Sequence, residues 1–237
     1  HGIRDQPRSR GLGDVYKRQI LGGTGDQGLG LALRFAKAGR RVVIGSRKAD
    51  RALTAAEEVR KAVPEADVSG HENAQATELA AVVILSVPFE HTAGTVKAIK
   101  PVLQEGQILV SMAVPLATAV GDGAVRTLGI WQGSAAEMVQ SLAPAGVEVV
   151  SAFQNVSAHR LRELDQPVEC DVVVSGKKAP RAQIMELCRL VPGLRGVDGG
   201  PLSNARIVED ITALLIGMNV RYKLPDGLGI RLTGLPE

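Results

Sequence analysis

Leu21-Gly22-Gly23-Thr24-Gly25-Asp26-Gln27-Gly28-Leu29-Gly30 carries the spacing G-x-G-x-x-G at Gly23, Gly25 and Gly28. Such a stretch reads as a phosphate-binding turn between a strand and a helix. Gly23 lets the chain reverse sharply, Gly25 lets backbone approach a pyrophosphate, and Gly28 lets the next helix pack closely on the sheet. The helix that starts here points its free N–H groups and the positive end of its dipole at the phosphates. In a chain with 27 glycines the triplet also arises by chance, so its meaning rests on what flanks it.

Outward from this turn, strands and helices alternate. Leu29 to Ala38 has Leu29, Ala32, Leu33 and Ala36 on one helical stripe and stops at Gly39. Val42-Val43-Ile44 reads as a buried strand, Asp50 to Val63 as a helix closed by Pro64, and Val68 as part of a short strand. A polar helix over Asn73 to Ala80 leads to the most apolar strand, Val82 to Val87, which ends at Pro88 before a helix starting near His91. Ile108-Leu109-Val110 is another strand, running into Val114-Pro115. Strands separated by helices of this length imply βαβ units and a parallel, doubly wound sheet of Rossmann type, with ligands beyond the carboxyl ends of the strands.

Later in the chain, Ser134 to Leu142 reads as a helix and Val147 to Ala152 as a strand. A strand at Val172 to Val174, a helix over Pro180 to Leu190 and a glycine-rich turn from Gly193 to Gly200 follow. Ser203 or Asn204 is expected to cap a last helix, Ala205 to Val220, whose inward stripe would be Ile207, Ile211, Leu214, Leu215 and Met218. Leu228 to Leu232 is a candidate edge strand. The division is into residues 20–152, a dinucleotide-binding Rossmann domain, and 153–237, a small α+β C-terminal domain.

Residues 1–19 do not read as the start of that domain. A central parallel strand is a continuous apolar run, yet Tyr16-Lys17-Arg18-Gln19 precede Ile20-Leu21. Asp14 to Gln19 is also the in-frame translation of a transposase-end sequence used in preparing sequencing libraries. The expectation is a non-native or disordered tail. This tail carries the excess charge: it holds five basic and two acidic residues, which leaves 23 of each in the rest of a chain of net charge +3. With only 3% aromatic residues, the basic, base-stacking surface of a nucleic-acid binder is missing. The longest apolar stretches, Leu79 to Phe89 and Ile211 to Val220, are about half the roughly 20 residues of a membrane span, so no membrane segment is expected. Cys170 and Cys188 have no metal-ligand spacing and read as reduced thiols of a cytoplasmic protein.

The second strand tells which dinucleotide fits. An NAD site places a carboxylate about 20 residues after the glycines, whereas an NADP site offers Arg to the 2′-phosphate. Here Ser46-Arg47-Lys48 and Arg51 fill that region, with no carboxylate before Asp50. The planar Arg fork matches phosphate oxygens, so NADP is the expected ligand. Of four histidines only His91 stands at the crevice, and its position fits an acid, a donor to a ring carbonyl, or an exposed residue of a first helical turn. No metal cluster or Ser-His-Asp order is apparent. Hydride transfer tolerates that absence, since the protein need only hold two cofactor rings face to face in a dry crevice.

Leu21 to Arg34, Gly45-Ser46-Arg47, Val87-Pro88-Phe89-Glu90-His91 and Gly200 to Arg206 together resemble the NADPH-dependent reductases of coenzyme F420, a deazaflavin. The likeness spans Ile20 to Leu232. It implies reversible hydride exchange between NADP(H) and coenzyme F420, two small-molecule substrates, in a homodimer with a small C-terminal domain. Thr24, Gly25, Asp26 and Gln27 would lie by the pyrophosphate, and Ser46, Arg47 and Arg51 by the 2′-phosphate. Pro88, His91 and Thr95 would flank the NADP, while Val114, Val156 and Ala158 would line the gap where the rings stack. One departure is Gln154, where the family pattern has histidine. Two rival readings are an NADPH-dependent imine or ketone reductase on this fold and a non-catalytic NADP-binding sensor. The first usually carries a larger all-helical C-terminal domain, and the second needs no second ring site.

Overall fold

Buried apolar runs become the strands of one sheet. The computed structural model describes residues 18–21 and 23–235. In chain order the elements are β1 (Arg18–Leu21), α1 (Asp26–Lys37), β2 (Val42–Ser46), α2 (Ala49–Ala62), β3 (Val68–Glu72), α3 (Asn73–Glu78), β4 (Val82–Leu85) and α4 (Phe89–Ile99). Then come β5 (Ile108–Ser111), α5 (Ala135–Leu142), β6 (Glu148–Ser151), α6 (Ala158–Arg162), β7 (Cys170–Gly176), α7 (Lys178–Cys188), β8 (Leu194–Asp198) and α8 (Ala205–Tyr222).

The strand order is β3-β2-β1-β4-β5-β6-β7-β8. All neighbours run parallel except β6 and β7, which pair antiparallel through Val150↔Gly176 and Ser151↔Ser175. The first six strands follow the dinucleotide-binding order, whose ligand crevice opens where the chain crosses from one side of β1 to the other. The sheet is covered on both faces. Val42, Ile44, Val82, Ile84, Ile108 and Val110 sit in one core with α1 and α2, while Val83, Leu85, Leu109 and Val149 sit in the other with α4 and α5. Alternate residues thus go to opposite apolar layers, which is why these strands read as unbroken apolar runs.

Several elements differ from the sequence expectation. β1 begins at Arg18, pairing Arg18 with Val42 and Val82 and Gln19 with Val43 and Val83. A ladder uses backbone groups, so polar Arg-Gln can complete a strand that the apolar pattern starts at Ile20. The rest of the expected tail, residues 1–17, lies outside the described residues. Beyond residue 152, β7 and β8 continue the sheet on the β6 side. The turn expected over Gly193 to Gly200 contains β8, whose backbone is recruited by β7 over Cys170↔Leu194 to Val174↔Asp198. Its Arg195 and Gly196 hide the strand pattern. Leu228 to Leu232 forms no strand, but Ile230 accepts a hydrogen bond from the Asp171 N–H at 2.8 Å.

The last helix is turned from its expected orientation. Val208, Glu209, Ala213 and Leu215 are buried, whereas Ile207 and Leu214 are 57% and 61% exposed. Neither Ser203 nor Asn204 caps it with a side chain, and Asn204 Nδ2 donates instead to Gly199 O at 2.7 Å. Periodicity reports the most apolar stripe, and here a second demand, the seating of Glu209, sets the inward face.

Candidate functional site

α1 starts at Asp26 directly after the glycine turn, and its N-cap Gly25 offers no side-chain hydrogen bond. The first-turn N–H groups therefore remain available to an anion, in the geometry that suits a pyrophosphate. β2 ends at Ser46, whose buried hydroxyl accepts from the Lys48 N–H at 3.4 Å. Arg47, Lys48 and Arg51 stand exposed just beyond, and among the described residues no carboxylate forms an ion pair with any of them. Three uncompensated cations beside a strand end are the donor set that a phosphate dianion requires.

Two cavities meet at this turn. One, of about 540 Å³, is lined by Thr24, Gly25, Ser46, Arg47, Lys48 and Arg51, with Pro88, His91 and Thr95 on its far side. The other, of about 770 Å³, takes Gly25, Asp26 and Gln27 on one wall and Met112, Ala113, Val114, Val156 and Ala158 on another. Gly25, Ser86, Val87 and Pro88 line both. A cationic chamber thus opens into a mostly apolar one across the carboxyl end of β4.

Of the expected site residues, Thr24, Gly25, Ser46, Arg47, Arg51, Pro88, His91 and Thr95 line the smaller chamber, and Gly25, Asp26, Gln27, Pro88, Val114, Val156 and Ala158 line the larger. Gly23 and Gly28 line neither; they are buried in the turn and in α1. The Gln27 side chain turns away from a phosphate position, its Nε2 donating to Phe153 O and Val156 O, both at 3.0 Å. Asp26 faces Arg162 at 3.3 Å. His91 is exposed, its N–H bound to Pro88 O and its carbonyl accepting from the Thr95 hydroxyl.

Gln27 fastens a strained turn. Phe153 is fully buried with φ of 71°, a conformation that costs a non-glycine residue of order 1 kcal/mol or more. Gln154 and Asn155 follow it into the wall of the larger chamber. Beside them, α1 and α6 meet at Gly30, where an added Cβ would lie 2.6 Å from Leu161 Cβ. Glycine is needed there for close approach.

Sequence reasoning missed several lining residues. Asn73 completes the smaller chamber and lies on no motif, whereas Lys48 belongs to the basic stretch already read beside Arg47. Thr212, Leu215, Ile216 and Asn219 of α8, with Leu224, Pro225, Gly227 and Leu228 after it, close the larger one. No spacing signal links them to the glycine turn, about 200 residues earlier.

Glu209 holds α8 in place. Its carboxylate accepts from the Ala135 and Ala136 N–H groups of α5 at 2.9 and 3.2 Å, beside the Ser134–Glu137 capping pair. Burial pushes its carboxyl up to about 7 against the pull of those two amides, and Asp210 and Glu137 add to the rise. A folded value above the ordinary 4.5 contributes stability that is complete below about pH 4.5 and is lost as pH rises through about 7. The loss is of order 3 kcal/mol. Thermal unfolding of Glu209→Gln is therefore expected to show a flatter decline between pH 5 and pH 8 than the wild type. Parallel curves for the two proteins would contradict it.

A family model described as "NADP oxidoreductase coenzyme F420-dependent" matches residues 17–115. The F420-dependent NADP reductase of Methanocaldococcus jannaschii is 47% identical over 224 residues, covering 92% of this chain and 99% of the relative. The chain belongs to the F420-dependent NADP reductases. A second member, from Methanothermobacter marburgensis, is 42% identical over 225 residues, covering 93% of this chain and 100% of the relative. A crystal structure from Arthrobacter sp. FB24 matches at a TM-score of 0.76 and 23% identity, over 92% of this chain and all of that one, which bears on the fold alone. Among the described residues no helix is long and apolar enough to cross a membrane.

Proposed function

We infer that this chain transfers a hydride between NADPH and coenzyme F420. The observation that carries the reading is the shared rim of the two chambers: a dinucleotide anchored in the cationic one reaches the apolar one only past Gly25, Val87 and Pro88. The residues present fit both groups. Arg47, Lys48, Arg51 and Ser46 suit the 2′-phosphate, the bare start of α1 with Thr24 and Gly25 suits the pyrophosphate, and His91 and Thr95 flank the chain between them. Asp26 and Gln27 serve through their place in the first turn of α1, since their side chains are engaged elsewhere. The apolar chamber, walled by Met112, Val114, Val156, Ala158 and Leu215, suits a planar ring.

The nicotinamide supplies the hydride and the deazaflavin takes it up. The chain's part is to bind, orient and keep dry. Gln27 fixes the turn at Phe153 to Val156, so one wall of the ring gap moves with the dinucleotide turn. Holding two rings in one geometry is itself the larger part of such catalysis. Residues 20–152 then form the NADP-binding part, and 153–237 complete the acceptor chamber.

The exposed Ile207 and Leu214 on one face of α8, Val220 near its C-terminal end and Trp131, 98% exposed, support a homodimer. Apolar side chains of that size are left in water at a cost that a second copy of the chain removes. Two buried free thiols support a reducing, cytoplasmic setting. The protein mixed with NADPH and oxidised F420 is expected to bleach the deazaflavin absorbance, and light scattering to show two chains per particle. NADPH binding with no bleaching would refute the hydride reading; a monomer would refute the pairing of α8 faces.

A further inference from the structure

The segment after α8 has no regular secondary structure, yet Leu224, Pro225, Gly227 and Leu228 line the larger chamber. No helix or sheet ladder fixes that wall; beyond the Leu224 N–H bond to Asn219 O at 3.1 Å, its place depends on single ties to neighbouring elements. Ser157 Oγ donates to Asp226 O, the Leu228 N–H donates to Asn219 Oδ1 at 2.8 Å, and Arg160 pairs with Asp226 at 2.9 Å. The strongest tie lies further along, at Asp171 on β7.

The Asp171 side chain is fully buried. Its carboxylate accepts from Arg195 Nε and Nη2 at 2.9 and 2.7 Å, from Arg231 Nη1 at 2.8 Å and from the Leu232 N–H at 2.6 Å. Its own N–H donates to Ile230 O, and Arg195 Nη2 also donates to Leu232 O at 2.6 Å. One residue thus grips residues 230–232 by carbonyl, amide and side chain. Between this grip and the chamber, Gly229 lies so close to β7 that a Cβ would stand 2.9 Å from Cys170 Sγ.

We propose that Asp171 is a positioning residue for the acceptor chamber: by clamping residues 230–232 to the sheet it holds the segment 224–228 as the chamber's outer wall, and so sets the affinity for the planar acceptor but not for the dinucleotide. The proposal rests on the reading of the larger chamber as the deazaflavin site. A buried carboxylate shared by two guanidinium groups gains little stability over apolar packing, and what it supplies is fixed geometry. Burial alone would raise the Asp171 carboxyl, but the hydrogen bonds from Arg195, Leu232 and Arg231 prevail and hold it down at about 2, so it is ionised at neutral pH. Among the described residues none of Asp171's hydrogen-bond partners lines the smaller chamber, whereas Asn155, which donates to Asp171 O at 2.9 Å, lines the larger one, so the two ligands should respond separately.

Asp171→Asn, Arg231→Ala, Arg231→Lys and the double variant Asp171→Asn/Arg231→Ala test it in the full chain. Fluorescence titration with oxidised F420, titration with NADPH, and hydrogen exchange at Leu228 and Leu232 are read together. Asp171→Asn and Arg231→Ala are expected to weaken F420 binding about tenfold while NADPH binding stays within about twofold, with faster exchange at both amides. The double variant should bind F420 more weakly than Asp171→Asn alone by well under the sum of the two single losses, because the Arg231–Asp171 bond is common to both changes and only the Arg231 contacts to Glu169 and Gly193 O are lost in addition, and Arg231→Lys should recover part of the loss. Faster exchange with unchanged F420 affinity would overturn the proposal. So would equal weakening of both ligands, which marks a general loss of stability. If Asp171→Asn does not fold, the Arg231 pair decides, since that side chain is partly exposed. Wild-type protein that binds no F420 would overturn the functional reading instead, and the exchange rates then report separately on whether Asp171 holds the segment.

Discussion

Arg47→Ala is expected to cut the preference for NADPH over NADH by about tenfold to a hundredfold. That range is the loss of one charge-assisted contact, roughly 1.5 to 3 kcal/mol. Arg47 stands exposed at the end of β2, with no ion pair to a carboxylate among the described residues, so its removal breaks nothing that holds the fold. The change should fall on NADPH alone, because NADH has no 2′-phosphate, and Lys48 and Arg51 should retain part of the preference. Unfolding temperature is expected to stay within a degree or so of wild type. Equal loss for both dinucleotides, or an unchanged ratio, would place the 2′-phosphate elsewhere.

Arg34→Ala is expected to act through stability. Arg34 lies in α1, 3% exposed, and its guanidinium donates to four carbonyls of the α6 region: Leu161 at 2.9 Å, Gln166 at 2.8 Å, Arg160 at 2.7 Å and Glu163 at 2.6 Å. Arg160 and Leu161 lie in the last turn of a helix of five residues, Glu163 caps it and Gln166 lies just beyond, where carbonyls have no helical donors. Alanine would leave the Arg160, Leu161 and Gln166 carbonyls without this donor, Glu163 O keeping the Gln166 N–H at 3.0 Å, and would open a cavity, at a cost of roughly 3 to 5 kcal/mol. For a chain of this length that lowers the unfolding temperature by about 10 °C. Arg34→Lys keeps the charge but cannot span four acceptors, so it should recover only a small part. A shift under about 2 °C for alanine would show that the carbonyls find other partners. Below its unfolding temperature the alanine variant should keep its choice of NADPH over NADH, which separates it from Arg47→Ala.

Much of the smaller chamber was legible in the chain. Gly25, Ser46, Arg47 and Arg51 belong to short motifs at the ends of neighbouring strands, and a parallel sheet brings successive strand ends to one edge. Gln27 shows the limit of such reading. Its place in the glycine turn implies the pyrophosphate, but its amide is spent on Phe153 and Val156 because that strained turn needs donors. α8 shows another limit, since Ile207 and Leu214 of its apolar stripe face outward while Leu215 of that stripe and the carboxylate Glu209 are buried. A carboxylate at an inward position looks wrong to any hydrophobic pattern until the amides of α5 are seen.

By itself the sequence determined the alternation of buried strands and helices, the phosphate turn, the cationic end of β2 and the family likeness, because each is written in residues close together in the chain. Only the tertiary structure decided that β8 is a strand, that Arg34 ties α1 to α6, and that residues 224–228 wall the acceptor chamber from more than 60 residues beyond the nearest expected ring contact, Ala158. These depend on backbone groups finding donors and acceptors across the fold, and a backbone carbonyl or N–H is the same in every residue. No pattern of side chains announces which partner it will take.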